Sequence, residues 1–482
     1  MKFKSWIQKK IKNNPIAAEF IVKLSTFSFG PIVAAGIGFF SVPIITRMVP
    51  PVIYGQLSMS TTAISLIGLF LMLGLDQAYV RNYASSKDVE KIWLTAFIPP
   101  LILSGLVIIV VLFFWEQISL LLFEESLIYP IVIFSLTILG TLIERFLLLR
   151  VRMREAGGFY STLNIIKKLA TVVLTITWVI VFGPRLTSLM APVLIGSVLV
   201  ILTILISPYS LKIADMSFDK SLLKPFLAFG IPLVLASAQM WILNSLDKIA
   251  LRIWTDFAQM GIYAAAFKLV YPMLIIKSSF SLFWAPVRYR WLEEGVSVKR
   301  FQKVADVSTV LMIFLFALLL ALRWIVVLLL GPEYREAVHI VPFALVFPLM
   351  YTLSETTSIG IGFSGKTIWE TISTAVAAVC NVFLNWLLVP KYAAFGAALA
   401  TAISFFIFFW IRMLVSNRLW LKLNIRLQVL ASFTILTSIS ISIFFSDWKA
   451  DLLMALFVTI GVGLYLIFSR KYERDDTIKD NT

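Results

Sequence analysis

FGIPLVLASAQMWILNSLDKIALRIWTDFAQMGIYAAAFKLVYPMLIIK, residues 229–277, consists of two long apolar segments joined by a short polar turn. Asn244, Asp247, Lys248, Lys268 and Lys277 are set inside sequence that is otherwise compatible with lipid. A cation or carboxylate near the centre of a bilayer costs roughly 2.5 to 3.5 kcal/mol even on translocon-insertion scales, so such groups face a protein interior or a wet cavity. The stretch therefore reads as two membrane helices that form one wall of a polar passage. A second reading stays open, in which Asp247 and Lys248 lie near a helix end and snorkel to the interface while Lys277 reaches the opposite surface.

The rest of the chain has the same character. Its 482 residues are 60% hydrophobic and only 14% charged, against about 25% charged in soluble domains. Uncharged windows of about 20 residues recur, the length a helix needs to cross the hydrocarbon core. Spans are predicted at 24–45, 56–76, 92–114, 128–149, 162–182, 187–207, 224–251, 261–283, 305–330, 338–362, 368–389, 394–415, 426–445 and 450–469. The fold class is thus an all-α polytopic membrane protein of about fourteen transmembrane helices.

The net charge of +16 is explained by loop asymmetry. With both termini inside, roughly 31 of the 42 Lys and Arg fall on inner segments and about six on outer loops, as the positive-inside rule requires. In a soluble protein the same charge would point to nucleic acid, but no patch of basic and aromatic residues stands out, and no nucleic-acid partner is expected. The single cysteine, Cys380, excludes an internal disulfide and a thiolate metal cluster, so no metal is expected. The single histidine, His339, reads as a residue of a segment edge.

Residues 1–23 carry six lysines with Phe3, Trp6, Ile7 and Ile11 at helical spacing, the pattern of a cytoplasmic amphipathic segment on an anionic leaflet. The tail 471–482 reads as disordered and cytoplasmic. No extramembrane stretch is long enough to bury a core of its own, so a non-enzyme working in or across the membrane is expected. A repeat is also visible. Phe29-Gly30 is followed 17 residues after the glycine by Arg47 and then by Tyr54-Gly55; Phe229-Gly230 is followed at the same distance by Asp247 and then by Gly261 and Tyr263. The offset covers six spans, an even number, so the halves would share one orientation about an axis along the membrane normal. The implied organisation is a six-helix bundle over 24–210, a second over 211–416, two trailing helices over 417–470, and substrate held between the bundles.

Residues 360–367, GIGFSGKT, match the glycine-rich phosphate loop pattern. That chemistry needs a strand before the glycines inside an α/β domain, and here a membrane span precedes them, so no ATP is expected. The intramembrane charges carry more. Lys268 and Arg323 each lie about seven residues below the outer end of a span, roughly 10 Å deep at the helical rise. With Arg47, Asn244, Asp247, Lys248 and Lys277 they are the candidates for a cationic cavity that would accept a phosphate or uronate. Glu355 is a candidate for balancing a cation or carrying a proton. Asp76 and Arg81, after Gly74-Leu75, are candidates for an inner gate, with a helix-end anchor as the other reading. Glu144 and Arg145 read as structural. Pro43, Pro232, Pro272 and Pro286 suit helices that kink.

Several of these stretches occur together in one known family. PIITRMVPPVIYGQ, LGLDQAYVRNYA, FGIPL with WILNSLDKIAL, GIYAAAFKL, GPEYREA and NVFLNWLLVPKYAAFGAALATA, in that order, resemble the polysaccharide (O-antigen, lipid-linked repeat-unit, Wzx-type) flippases of the MATE-like (MOP) exporter superfamily. The resemblance covers nearly the whole chain. It implies two six-helix bundles with pseudo-two-fold symmetry plus two C-terminal helices, alternating access, and export of an undecaprenyl-pyrophosphate-linked glycan from the inner to the outer leaflet of a bacterial plasma membrane. It also implies no cofactor, resetting by a proton or sodium gradient, and partnership with a polysaccharide polymerase and assembly proteins. Asn244, Asp247 and Lys248 occupy the family's pattern in the seventh span, where its usual Asp-Arg pair is here Asp-Lys. Lysine offers a point charge where arginine offers a two-pronged fork. Lys268 falls in the eighth-span motif. The alternatives are a MATE-type multidrug exporter, which favours an acidic aromatic cavity, and a lipid II or sporulation-type flippase. A polymerase or ligase is disfavoured, because outer loops of about 5 to 14 residues cannot hold a catalytic core.

Overall fold

The computed structural model describes residues 15–211, 217–420, 422–445, 449 and 451–461. The expected amphipathic segment lies outside the described residues up to position 14, and so does the whole 471–482 tail. Among the described residues the secondary structure is helical, with no strand. Ten helices among them are long and apolar enough to cross a membrane, from the one ending at Met48 to Ile368–Leu419. Phe257–Leu269 and Tyr271–Glu293 together pass the same test and meet at a 54° bend. Pro272 sits at the first turn of the second helix of that pair, where its missing N–H costs nothing, and it removes the bond that would have continued the first.

The Ile368–Leu419 element, at 52 residues, would be far longer than a bilayer is thick if it were straight. It breaks at Ala393, where φ is 46° and ψ is −130°. The missing side chain of Gly396 lets the Leu388 backbone fold back against it. Two spans therefore stand where a single helix is continuous in outline. With the shorter apolar helices Arg426–Phe445 and Asp451–Gly461, the order of elements follows the expected series of spans.

Some boundaries differ from expectation. The second span runs over Pro51–Leu71, five residues earlier than expected, because Leu73 and Gly74 both take positive φ and stop it. Asp76 and Arg81 then belong to a separate nine-residue helix, Leu75–Tyr83. Trp115–Phe123 forms a short helix in what was expected to be loop. The tenth span is divided into Ala337–Ala344 and Val346–Thr357, and Ile359–Phe363 follows as a single turn that carries the first glycines of GIGFSGKT.

Contacts divide the chain into two compact units, Met1–Arg252 with Asp256–Gly261, and Ile253–Thr255 with Ile262–Thr482. In the first, Arg150 is completely buried at the end of Ile128–Met153, although its neighbours in sequence mark it as a loop cation. Both ends of its guanidinium meet Glu90, and it also donates to the carbonyls of Tyr209 (3.2 Å) and Ser210 (3.0 Å). The start of Lys220–Trp254 is tied to the third span by Asp219. Its backbone N–H donates to Thr95 Oγ1 and its carboxylate pairs with Lys91 at 2.8 Å. The hydrogen bond from Lys91, followed by those from Ser221, holds the Asp219 carboxyl down at about 2.

The glycines of the repeat have a geometric use. Pro51 and Gly55 face Phe257 and Gly261, and the contact is reciprocal: a Cβ on Gly55 would overlap the Phe257 carbonyl, and a Cβ on Gly261 would overlap the Pro51 carbonyl. Small residues at such a crossing let two helix backbones touch, as in membrane helix pairs generally. Gly55→Ala is expected to destabilise the protein by about 1–3 kcal/mol through overpacking. Gly261→Ala should do the same, and the double variant should cost less than the sum, because one separation of the helices relieves both clashes. Thermal unfolding in detergent measures this; additive losses would disprove the shared contact.

Candidate substrate cavity

The first unit contains an open cleft of about 700 Å³. Three helices supply it with polar stripes at helical spacing: Thr61, Ser65 and Gly68 from Pro51–Leu71; Thr137, Thr141 and Arg145 from Ile128–Met153; and Ser237, Trp241, Asn244 and Ser245 from Lys220–Trp254. Leu69, Ile138, Leu142, Val193 and Leu233 supply apolar wall between them. Thr61, Ser65, Thr137 and Thr141 donate their hydroxyl hydrogens to carbonyls three or four residues back in their own helices. Each hydroxyl therefore keeps acceptor capacity for a ligand. Trp241 Nε1 donates to Ser65 Oγ at 2.9 Å, which fixes the indole against the wall. Asn244 donates to Met240 O at 2.7 Å, and its amide oxygen remains an acceptor.

The charge in this cavity is a pair. Arg145 donates from Nε (3.2 Å) and Nη2 (2.6 Å) to Oδ2 of Asp76, which also accepts from Gln77 Nε2 at 3.0 Å. The Asp76 side chain is only 4% exposed, whereas that of Arg145 is 57% exposed. The carboxylate is covered and the guanidinium is presented. Beyond this pair lies a second cavity of about 320 Å³, which shares Asp76, Gln77, Thr141 and Arg145 with the first. Arg152, Tyr160, Lys167 and Glu144 line it, and Lys167 Nζ reaches both oxygens of Glu144 at 2.6–2.7 Å.

Of the residues singled out from sequence, the structure brings Asp76 and Asn244 to the larger cavity. Asp247 is buried at 1%, and both it and Lys248 engage other groups of the protein. Arg47 is exposed in the last turn of its helix, and Arg81 lies 4.4 Å over the Phe229 ring. In the second unit Lys277 sits 3.7 Å over the Tyr351 ring, in electrostatic reach of Glu355, while the Glu355 carbonyl accepts from Trp284. Lys268 is half-buried and engaged with other groups.

Arg323 is placed differently from expectation. It is 2% exposed and pairs with Asp451 at 2.7 Å, with Nη1 on the Val338 carbonyl and Trp324 Nε1 on the same carboxylate. Its charge is met by an aspartate of the last described helix, so reversing it would report on the packing of that helix.

Sequence reasoning passed over Arg145, which read as structural beside Glu144. The signal was present in the spacing of Thr137, Thr141 and Arg145, which puts two hydroxyls and a guanidinium on one face of an otherwise apolar helix.

Residues 23–287 match the model of a family described as polysaccharide biosynthesis protein. The chain belongs to that family. No curated protein matches it in sequence. Among solved structures it is similar to the lipid II flippase MurJ in an inward closed conformation, with a TM-score of 0.72 and 16% identity over 93% of this chain and 99% of that one. An inward-facing multidrug resistance MATE family transporter of the MOP superfamily follows with a TM-score of 0.57 and 14% identity, over 80% of this chain and 98% of that one. A mutant form of the Vibrio cholerae MATE transporter VcmN has a TM-score of 0.54 and 12% identity, over 82% and 98%. This member of the polysaccharide biosynthesis family is therefore a multi-pass membrane protein with the fold of MOP-superfamily flippases and transporters.

Proposed function

We propose that the protein is a flippase that moves an undecaprenyl-pyrophosphate-linked oligosaccharide repeat unit from the inner to the outer leaflet of a bacterial plasma membrane, with both termini cytoplasmic and without ATP hydrolysis. The observation that carries this reading is the composition of the larger cavity. Its carboxylate is covered by Arg145 and its guanidinium is open, so an anionic ligand is favoured over a cationic drug. Hydroxyl and amide acceptors beside an indole are the groups that receive sugar hydroxyls and stack on sugar faces.

In this reading a phosphate or acidic sugar competes with Asp76 for Arg145. Binding then loosens the contact between Leu75–Tyr83 and Ile128–Met153 and shifts the balance of conformers by its differential affinity. Asp76, Arg81 and Glu355 are the proposed gating and coupling groups, and a proton or sodium gradient resets the carrier. Lys268 and Lys277, in the second unit, are proposed substrate-binding cations by their charge alone. The prenyl tail stays in lipid throughout. A deletion strain tests this, with its lipid-linked intermediates analysed by mass and by sidedness. Complete undecaprenyl-pyrophosphate glycan should accumulate on the cytoplasmic face and clear when the gene is restored, and its mass distinguishes a repeat unit from a lipid II-type precursor. Normal export together with raised drug sensitivity would replace the proposal with the multidrug reading.

A further inference from the structure

The second unit contains a cavity that the transport reading does not use. It measures about 470 Å³ and lies between Tyr271–Glu293 and Val298–Leu328. On the second of these helices it is lined at positions 300, 303, 304, 307, 308, 311 and 312, a single stripe along one face. At the helical rise that stripe is about 18 Å long. The far end is apolar, with Leu311 and Met312 opposite Ile276 and Phe280; the near end carries Arg300 and Lys303 opposite Trp291. Val307 and Leu311 are about half exposed, so the groove is open along its side.

This is the profile of an amphiphile: an apolar channel, an indole at the boundary, and two cations at the mouth. Of the charged residues over 288–303, Arg300 and Lys303 line the groove, Lys303 while also engaging another group of the protein, whereas Glu293 and Glu294 do not, and Glu294 lies beside Arg290. The length of the stripe is on the order of one extended acyl chain, about 18 Å. We propose that this groove binds an anionic phospholipid of the bilayer, with one acyl chain against Phe280, Val304 and Leu311 and its phosphate on Arg300 and Lys303. A bound lipid would brace the second half of the bent helix pair, whose 54° break lies one residue before Tyr271.

The test is native mass spectrometry with thermal unfolding, on the full chain exchanged into phosphatidylglycerol or phosphatidylcholine. The wild type should retain phosphatidylglycerol and be stabilised by it, with little response to phosphatidylcholine. R300E with K303E should weaken that retention by about tenfold or more, the scale set by losing two charge-assisted contacts. R290E with K299E makes the same change in net charge on the same turn, away from the groove, and should leave retention intact. Val307→Trp, which fills the channel without altering charge, should also reduce it. Equal loss in both charge-reversal variants would reduce the effect to general surface electrostatics and overturn the proposal. Displacement of phosphatidylglycerol by undecaprenyl phosphate at lower concentration would overturn it in favour of the substrate's own tail.

Discussion

Arg145→Ala is expected to lower export of the lipid-linked glycan by about tenfold or more while the protein still reaches the membrane. Asp76 is buried, and of its two side-chain donors it would keep the Gln77 amide. Hydrogen bonds to charged groups are worth about 1.5–3 kcal/mol, which corresponds to roughly ten- to more than a hundredfold in an equilibrium. Two effects then combine: the cavity loses its open cation, and Asp76 becomes an uncovered carboxylate facing an anionic ligand. Arg145→Lys keeps the charge but cannot place two N–H groups on one oxygen in the same rigid fork, so an intermediate loss is expected. The paired exchange of Arg145→Asp with Asp76→Arg should keep an ion pair without recovering export, because the cation then sits where Asp76 is buried. Complementation of a deletion strain, scored with the membrane level of each variant, separates these outcomes. Wild-type export by Arg145→Ala would remove the cavity from the transport path.

Glu90→Ala should be the most damaging single substitution to stability in the first unit, at about 3–5 kcal/mol, because it leaves a completely buried guanidinium without its counter-charge. Arg150 ties three parts of the chain together through Glu90, the end of Ile128–Met153, and the Tyr209 and Ser210 carbonyls. Arg154 also reaches Glu90 at 3.2 Å, so the substitution takes the same counter-charge from a second cation beside Arg150. Replacing both members with apolar residues, Glu90→Leu with Arg150→Met, should restore most of the loss, since removing a buried pair together avoids the uncompensated charge. The melting temperature and the yield of monodisperse protein in detergent measure both. A Glu90→Ala protein as stable as the wild type would show that Arg150 reaches water.

The two predictions concern charges whose role the local sequence disguised. Arg150 sits among Arg152 and Arg154 and has the look of a loop cation; it is the most buried of the three. Arg145 read as structural and is the cation presented to the cavity. Arg323 read as a lumen cation and is paired inside the protein. By contrast the reach of each span was legible, because hydropathy is a local sum over about 20 residues. The second span ends early at residues of unusual backbone geometry, Leu73 and Gly74, while the break at Ala393 falls between the two spans expected there.

The sequence by itself therefore determined that this protein lies in a membrane, the order of its spans and its family. Each of those rests on neighbours in the chain or on a pattern repeated along it. Only the tertiary structure decided which ionisable groups are presented to a cavity and which are consumed in pairs. The partners are remote: Asp76 and Arg145 are 69 residues apart, Glu90 and Arg150 are 60 apart, and Arg323 and Asp451 are 128 apart. A buried charge is stabilised or presented according to what stands within hydrogen-bond distance of it, and spacing within a single helix shows only which face the charge is on.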